Sequence, residues 1–307
     1  MSASNQNEPQ LGATAGGGAA KLINDTAWDN PAAHSFDSVE ETPGSPKPDP
    51  ILKAHGVRRA FGGLVAVDVE HLEIQRGAVT ALIGPNGAGK TTFFNLLCGF
   101  DKANEGQTFY ENVEITGVQP HKLARQGMVR TFQLTKVLGK MSVLQNMMLG
   151  ATHQIGENAF KSLIPGLWKK QEEEVREQAL RTLDEFNMLH MKDEFAGALS
   201  GGQRKLLEMA RSLMADPKVI MLDEPMAGVN PALTQSLLGH VKRMRAMGIS
   251  VVFVEHDMDV VREISDWVVV MAEGSIIAEG RSASIGSNER VIEAYLGRSS
   301  GALSEER

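Results

Sequence analysis

Apolar residues fall into short runs and helical stripes that alternate along most of the chain. Val79 to Ile83 is a β-rich apolar run, the pattern of a buried strand. From Thr91 to Leu97, Phe93, Leu96 and Leu97 sit at helical spacing, and Gly99 supplies a stop. Upstream, Val65, Val67 and Val69 alternate, and Leu72 and Ile74 alternate in shifted phase. This predicts antiparallel strands with a bulge or turn between them, preceded by a turn at Gly62-Gly63. Beyond Gly202 a helix carries Leu206, Leu207, Ala210 and Leu213, and a strand follows over Val219 to Leu222. The next helix carries Leu233, Leu237, Val241 and Met244 and is stopped by Gly248. Then come a strand over Val251 to Val254, a helix through Val260, Val261 and Ile264, and a strand over Val268 to Met271. Ile276 to Ala278 is its hairpin partner, after a turn at Glu273-Gly274. Strands alternating with helices predict an α/β fold, a mainly parallel sheet with helices on both faces, preceded by an antiparallel β layer.

Residues 134–199 read as a helical subdomain inserted into this core. Met141, Val143, Leu144, Met147 and Met148 form an apolar cluster, read mostly as ordinary core. Residues 157–168, with Pro165-Gly166 inside, read as a loop, and Glu172 to His190 as an amphipathic helix. Residues 1–50 are different in kind: a Gly16–Gly18 run, few apolar side chains, and a Pro-rich end from Gly44 to Pro50. They predict a disordered acidic tail and extended linker, with Trp28 and Phe36 incidental. Ordered structure is expected over 51–297, and 298–307 as a C-terminal tail.

Composition narrows the class. The 307 residues are 42% hydrophobic and 22% charged, as in a soluble globular protein with a substantial core. Net charge is −7, and residues 1–50 hold seven acidic against two basic side chains, so the rest is nearly balanced. No basic surface is implied, which argues against a nucleic-acid partner. The single cysteine, Cys98, allows no intrachain disulfide and reads as a small buried apolar residue. No apolar run reaches the roughly 18 residues of a membrane-spanning helix, and no signal-peptide pattern is evident. Membrane association is expected through a partner.

The candidate chemistry begins at Gly84-Pro85-Asn86-Gly87-Ala88-Gly89-Lys90-Thr91-Thr92, which fits the phosphate-binding loop G-x-x-x-x-G-K-[ST]. The predicted strand before it and helix after it supply the required context. Glycines let main-chain N–H groups close on phosphate oxygens, and the helix start adds partial positive charge. Lys90 offers a full charge to the β- and γ-phosphates, and Thr91 a hydroxyl to Mg²⁺. ATP and Mg²⁺ are therefore the expected ligands of a P-loop nucleotidase core. An apolar strand ending in Asp223-Glu224, 133 residues after Lys90, places Asp223 near the metal and Glu224 where it can polarise a water. Leu199-Ser200-Gly201-Gly202-Gln203 is a capping box by spacing, and also a second anion-binding helix start. A second phosphate site makes sense if it completes the ATP site of another subunit.

Together these motifs resemble the ATP-binding cassette of ABC transporters over residues 51–297. Leu199 to Gln203 matches the family signature. Gln133 matches the glutamine that senses Mg²⁺ and γ-phosphate, His256 the switch histidine at the γ-phosphate, and Phe61 the aromatic that stacks on adenine. The family's usual loop aspartate is replaced by Asn230, within Ala227-Gly228-Val229-Asn230-Pro231. These segments, with Arg130-Thr131-Phe132-Gln133 and the C-terminal Ala294-Tyr295-Leu296-Gly297, resemble the ATPase subunits of branched-chain amino-acid importers and their urea and amide relatives. The resemblance implies an ATP hydrolase peripheral to the cytoplasmic face of the cell membrane. It implies a homodimer, or a heterodimer with a paralogous ATPase subunit, that binds integral membrane permease subunits and meets a solute-binding protein indirectly. Two ATP molecules would lie between Lys90 of one chain and Ser200 and Gly202 of the other. An ATPase of a lipid or lipopolysaccharide exporter, and a soluble cassette ATPase such as one in iron–sulphur assembly, are the alternatives.

Overall fold

The computed structural model of the chain describes residues 36–131, 137–152 and 165–301. In chain order the strands and helices are β1 (Pro50–Phe61), β2 (Leu64–Gln75), β3 (Val79–Ile83), α1 (Lys90–Leu97), β4 (Glu105–Tyr110), β5 (Val113–Glu114), α2 (Pro120–Arg125), β6 (Met128–Arg130), α3 (Val143–Met148), α4 (Pro165–Glu185), α5 (Gly201–Leu213), β7 (Val219–Asp223), α6 (Pro231–Ala246), β8 (Ser250–Val254), α7 (Met258–Ile264), β9 (Trp267–Ala272), β10 (Ser275–Gly280), α8 (Ser282–Ile285) and α9 (Glu289–Gly301). They form two sheets. The first is antiparallel, in the order β2-β1-β4-β5, and the second runs β10-β9-β3-β8-β7-β6. In the second, β9, β3, β8, β7 and β6 are parallel, and β10 closes the edge as the antiparallel hairpin partner of β9.

The five residues of β3, β7 and β8 are buried throughout, as expected of parallel strands covered on both faces. Their side chains alternate between two cores. Ala81, Ile83, Ile220, Leu222, Val251 and Phe253 face the core built with α3 to α7. Leu82, Met221, Val252 and Val254 face α1 and the antiparallel sheet. β3 lies between β9 and β8, so the segment leaving its C-terminal end emerges inside the sheet, where open α/β sheets bind ligands.

Three expectations change. The Val65–Ile74 stretch is one continuous strand, β2, and the phase of its apolar residues shifts without a break. Its last four residues are all buried: Leu72 and Ile74 belong to the core, and Glu73 and Gln75 accept hydrogen bonds from the chain before β1. The loop expected at Pro165-Gly166 is the first turn of α4, where proline's missing N–H is not needed. The rest of that expected loop, 157–164, lies outside the described residues.

The largest change concerns the tail. Residues 1–35, including Trp28, lie outside the described residues, but 36–50 are packed. Phe36 is 2% exposed and stacks on Trp267 at 4.8 Å. Lys47 Nζ pairs with Glu279 Oε2 at 3.0 Å, with both side chains fully buried. Gly44 N and Trp267 Nε1 also donate to Glu279, at 2.9 and 3.0 Å. Lys47 N donates to Glu73 Oε2 and Asp49 N to Gln75 Oε1. The segment straps β2 to β10, and it does so mainly by hydrogen bonds to buried carboxylate and amide groups. A composition poor in apolar residues hides such an arrangement.

Candidate active site

The loop after β3 has the backbone its glycines allow. Gly84, Gly87 and Gly89 have φ of +147°, +77° and +94°. A Cβ at Gly84 would stand 2.1 Å from the Met271 carbonyl oxygen, and one at Gly89 2.3 Å from that of Ala66. The β9–β10 turn clamps the loop from outside: Gly274 N donates to Ala88 O, and Asp68 N to Gly274 O. Lys90, the first residue of α1, turns back so that Nζ donates to Gly84 O at 2.7 Å and Pro85 O at 2.9 Å. Asn86, Gly87 and Thr91 are exposed, Pro85 and Thr92 half-buried, and Ala88 buried. Tyr295 of α9 is half-buried, burial raises its phenol pKa, and its hydroxyl lies against the Gly84 main chain.

Asp223 closes β7 with its carboxylate buried, beside Arg130 at the end of β6; Arg130 Nη2 donates to Asp223 Oδ2 at 2.9 Å. The next residue, Glu224, has φ +46°, and its N–H donates to Val254 O of the neighbouring strand. The turn that carries Glu224 is gripped from two sides. Lys205 of α5 donates Nζ to the carbonyls of Glu224, Pro225 and Ala227. Burial lowers the pKa of that amine against the opposing pull of Glu255, Glu208 and Glu224. Glu255, 1% exposed, accepts from Met226 N at 3.1 Å and from His256 N at 3.2 Å. One buried carboxylate thus fixes both the turn after Glu224 and the backbone of His256, whose ring is exposed.

Ser200 caps α5 in a complete capping box: Gln203 N donates to Ser200 Oγ, and Ser200 N to Gln203 Oε1. Gly201 faces open space, whereas a Cβ at Gly202 would meet Leu233 Cδ2 of α6 at 2.0 Å. None of these contacts reaches the phosphate loop. Asn230 caps α6, its Oδ1 accepting from Leu233 N at 3.0 Å, so an uncharged residue there serves the helix start. Phe61, at the end of β1, is half exposed beneath the Arg59 guanidinium, 4.5 Å from its ring centroid. Gln133 lies outside the described residues. Cys98 is buried, and burial pushes its thiol up to about 12, the behaviour of a packing residue.

Sequence patterns did not mark Arg130, Lys205 or Glu255 individually. Each acts on a main chain or carboxylate that is close only in the fold. The donor set suits a magnesium nucleotide: a loop that a Cβ would fill, an ammonium, an exposed threonine hydroxyl and a buried carboxylate at a strand end.

Residues 67–227 match the family model described as ABC transporter, and residues 275–300 the one described as branched-chain amino acid ATP-binding cassette transporter. A probable branched-chain amino acid transport ATP-binding protein, LivG, of Archaeoglobus fulgidus is 45% identical over 247 residues, 80% of this chain and 95% of that one. The high-affinity branched-chain amino acid transport ATP-binding protein BraF of Pseudomonas aeruginosa is 39% identical, over 81% and 98%. A crystal structure of a nucleotide-free ATP-binding cassette from an ABC transporter superposes with a TM-score of 0.70 at 40% identity, over 80% of this chain and 98% of that one. The chain belongs to the ATP-binding cassette family of ABC transporters. It is an ATP-hydrolysing transport subunit, most similar among these to those named for branched-chain amino acids.

Proposed function

We propose that two cassettes, this chain paired with a second copy or a paralogue, close on two ATP molecules and drive import of branched-chain or other hydrophobic amino acids. The observation that carries this reading is the division of phosphate-binding groups. The loop at Gly84–Thr92 is shaped for a triphosphate, while Ser200, Gly201 and Gly202 begin a capped helix whose own contacts do not reach that loop. A partner's helix start completes the site. Lys90 leaves two main-chain carbonyls for the β- and γ-phosphates, and Thr91 and Asp223 hold Mg²⁺ together with Gln133. Mg²⁺, when bound, neutralises charge on the phosphate oxygens. Phe61 stacks on the adenine, Glu224 orients and deprotonates the attacking water, and His256 holds the γ-phosphate end.

Outward coupling falls to the region around α3. Val143, Leu144 and Met147 are buried core, but Leu138, Leu149 and Phe195 are exposed, and they form the apolar contact for permease subunits. Among the described residues no helix is long and apolar enough to cross a membrane. The chain then sits at the cytoplasmic face of the membrane through those subunits. That the relatives are named for branched-chain amino acid transport supports this reading over the lipid-exporter and iron–sulphur alternatives.

Glu224→Gln is the test. It should bind ATP with near-normal affinity, lower turnover by roughly 10²-fold or more, the scale of a lost general base, and accumulate as a dimer in light scattering. A strictly monomeric variant that hydrolyses ATP rapidly would overturn the reading.

A further inference from the structure

Arg130 opens the Arg130-Thr131-Phe132-Gln133 segment at the end of β6. β6 pairs in parallel with β7, so Arg130 leaves the edge strand beside the end of β7. Its guanidinium lies between two rings, 5.0 Å from the Phe94 centroid and 4.9 Å from that of Phe100. Nη1 donates to Asn95 Oδ1 and Nη2 to Asp223 Oδ2. The Arg130 and Asp223 side chains are 7% and 8% exposed. Phe94 and Asn95 belong to α1, the helix that begins at Lys90 of the phosphate loop.

A guanidinium is planar and presents its donors in a fixed fork. Stacked on two aromatics and bonded at both prongs, it cannot swing aside when a ligand arrives without giving up these contacts. It is therefore a fixture, unlike a cation that leaves when the metal enters. Asp223 Oδ2 accepts from Arg130, so Oδ1 would be the oxygen to meet a metal or its waters. Through Asn95 the same side chain ties the carboxylate to the helix that carries Lys90 and Thr91.

We propose that Arg130 is a positioning residue for the magnesium site: it fixes the Asp223 carboxylate relative to α1, so that the metal meets a preset oxygen. This rests on the reading of Asp223 as the metal-side carboxylate. Partners that orient a metal ligand typically set affinity by 10- to 100-fold, and loss of this one is expected to weaken magnesium on that scale.

The test is binding of a fluorescent ATP analogue to the full chain, titrated with Mg²⁺ and repeated in EDTA. Arg130→Met keeps an apolar stem between the rings and removes the fork. It should raise the Mg²⁺ midpoint by about tenfold or more while affinity in EDTA stays at the wild-type value. Arg130→Lys, which keeps the charge but cannot reach both partners at once, should fall between. A folded Arg130→Met protein with an unchanged or lowered midpoint overturns the proposal. If that variant does not fold, Arg130→Lys and Asn95→Ala carry the test, and wild-type midpoints in both overturn it. Wild-type binding that is indifferent to Mg²⁺ would instead remove the reading of Asp223, and the proposal with it. A changed melting temperature alone, with the midpoint unmoved, would mark Arg130 as structural.

Discussion

Single residues separate shape from chemistry most cleanly at the glycines. Gly84 and Gly201 belong to the two segments proposed to bind phosphate, yet their surroundings are opposite. At Gly84 an alanine meets a main-chain carbonyl and adopts a left-handed φ, so Gly84→Ala should cost roughly 1–3 kcal/mol or more and abolish nucleotide binding, read by thermal melting and by titration. At Gly201 there is open space. Gly201→Ala should melt like the wild type but fail to dimerise with ATP, because on the proposed reading its methyl would project where a partner's phosphates approach. A stability loss equal to that of Gly84→Ala would refute this contrast. His240 gives a pH prediction at the same scale. It stacks on Phe186, centroids 3.8 Å apart, and burial, aided by Arg243, lowers its pKa to about 4. The folded pKa lies below the ordinary 6.5, so the folded state prefers the neutral ring. Its contribution is present above about pH 6.5 and is lost as pH falls toward 4. Over that window stability should drop by up to about 1.4 kcal/mol per pH unit on this group's account, and His240→Phe should flatten that part of the denaturation profile.

Among elements, α5 links the two halves of the mechanism. Its start is the signature, and Lys205, one turn along, holds three carbonyls of the turn that carries Glu224. On the proposed reading, movement of a partner's phosphates against Ser200 would reach the chain's own Glu224 through this helix. Lys205→Met should fill the same space, leave ATP affinity within about threefold of wild type, and reduce turnover by tenfold or more, since small misplacements of a base have effects of that size. Unchanged turnover in a folded Lys205→Met protein would show that the turn holds itself. Much of this arrangement was legible locally. The Ser200–Gln203 capping box, the strand ending at Asp223 and the helix after Gly89 follow from spacing and turn chemistry within a few residues. The start of α4 was not legible, because Pro165-Gly166 reads equally as a turn or as a helix's first residues.

For the whole molecule, the strap from Phe36 to Pro50 joins the antiparallel layer to the edge of the parallel sheet. Lys47→Met would leave Glu279 buried without its cation, and loss of one partner of a buried ion pair costs about 3–5 kcal/mol. Urea denaturation should show a lower midpoint at unchanged slope. A shift below about 1 kcal/mol would mean that Gly44 N and Trp267 Nε1 suffice to hold the carboxylate.

The sequence by itself determined the class of chemistry. A strand, a glycine loop, a lysine and a helix start are contiguous, so their geometry is written in neighbouring residues, and hydrophobic period reports which faces are buried. Only the tertiary structure decided which distant groups hold that chemistry in place. Arg130 meets Asp223 across 93 residues and Lys47 meets Glu279 across 232. Such pairs leave no periodic trace, because a buried charge looks like a surface charge until the path of the chain brings its counter-ion beside it.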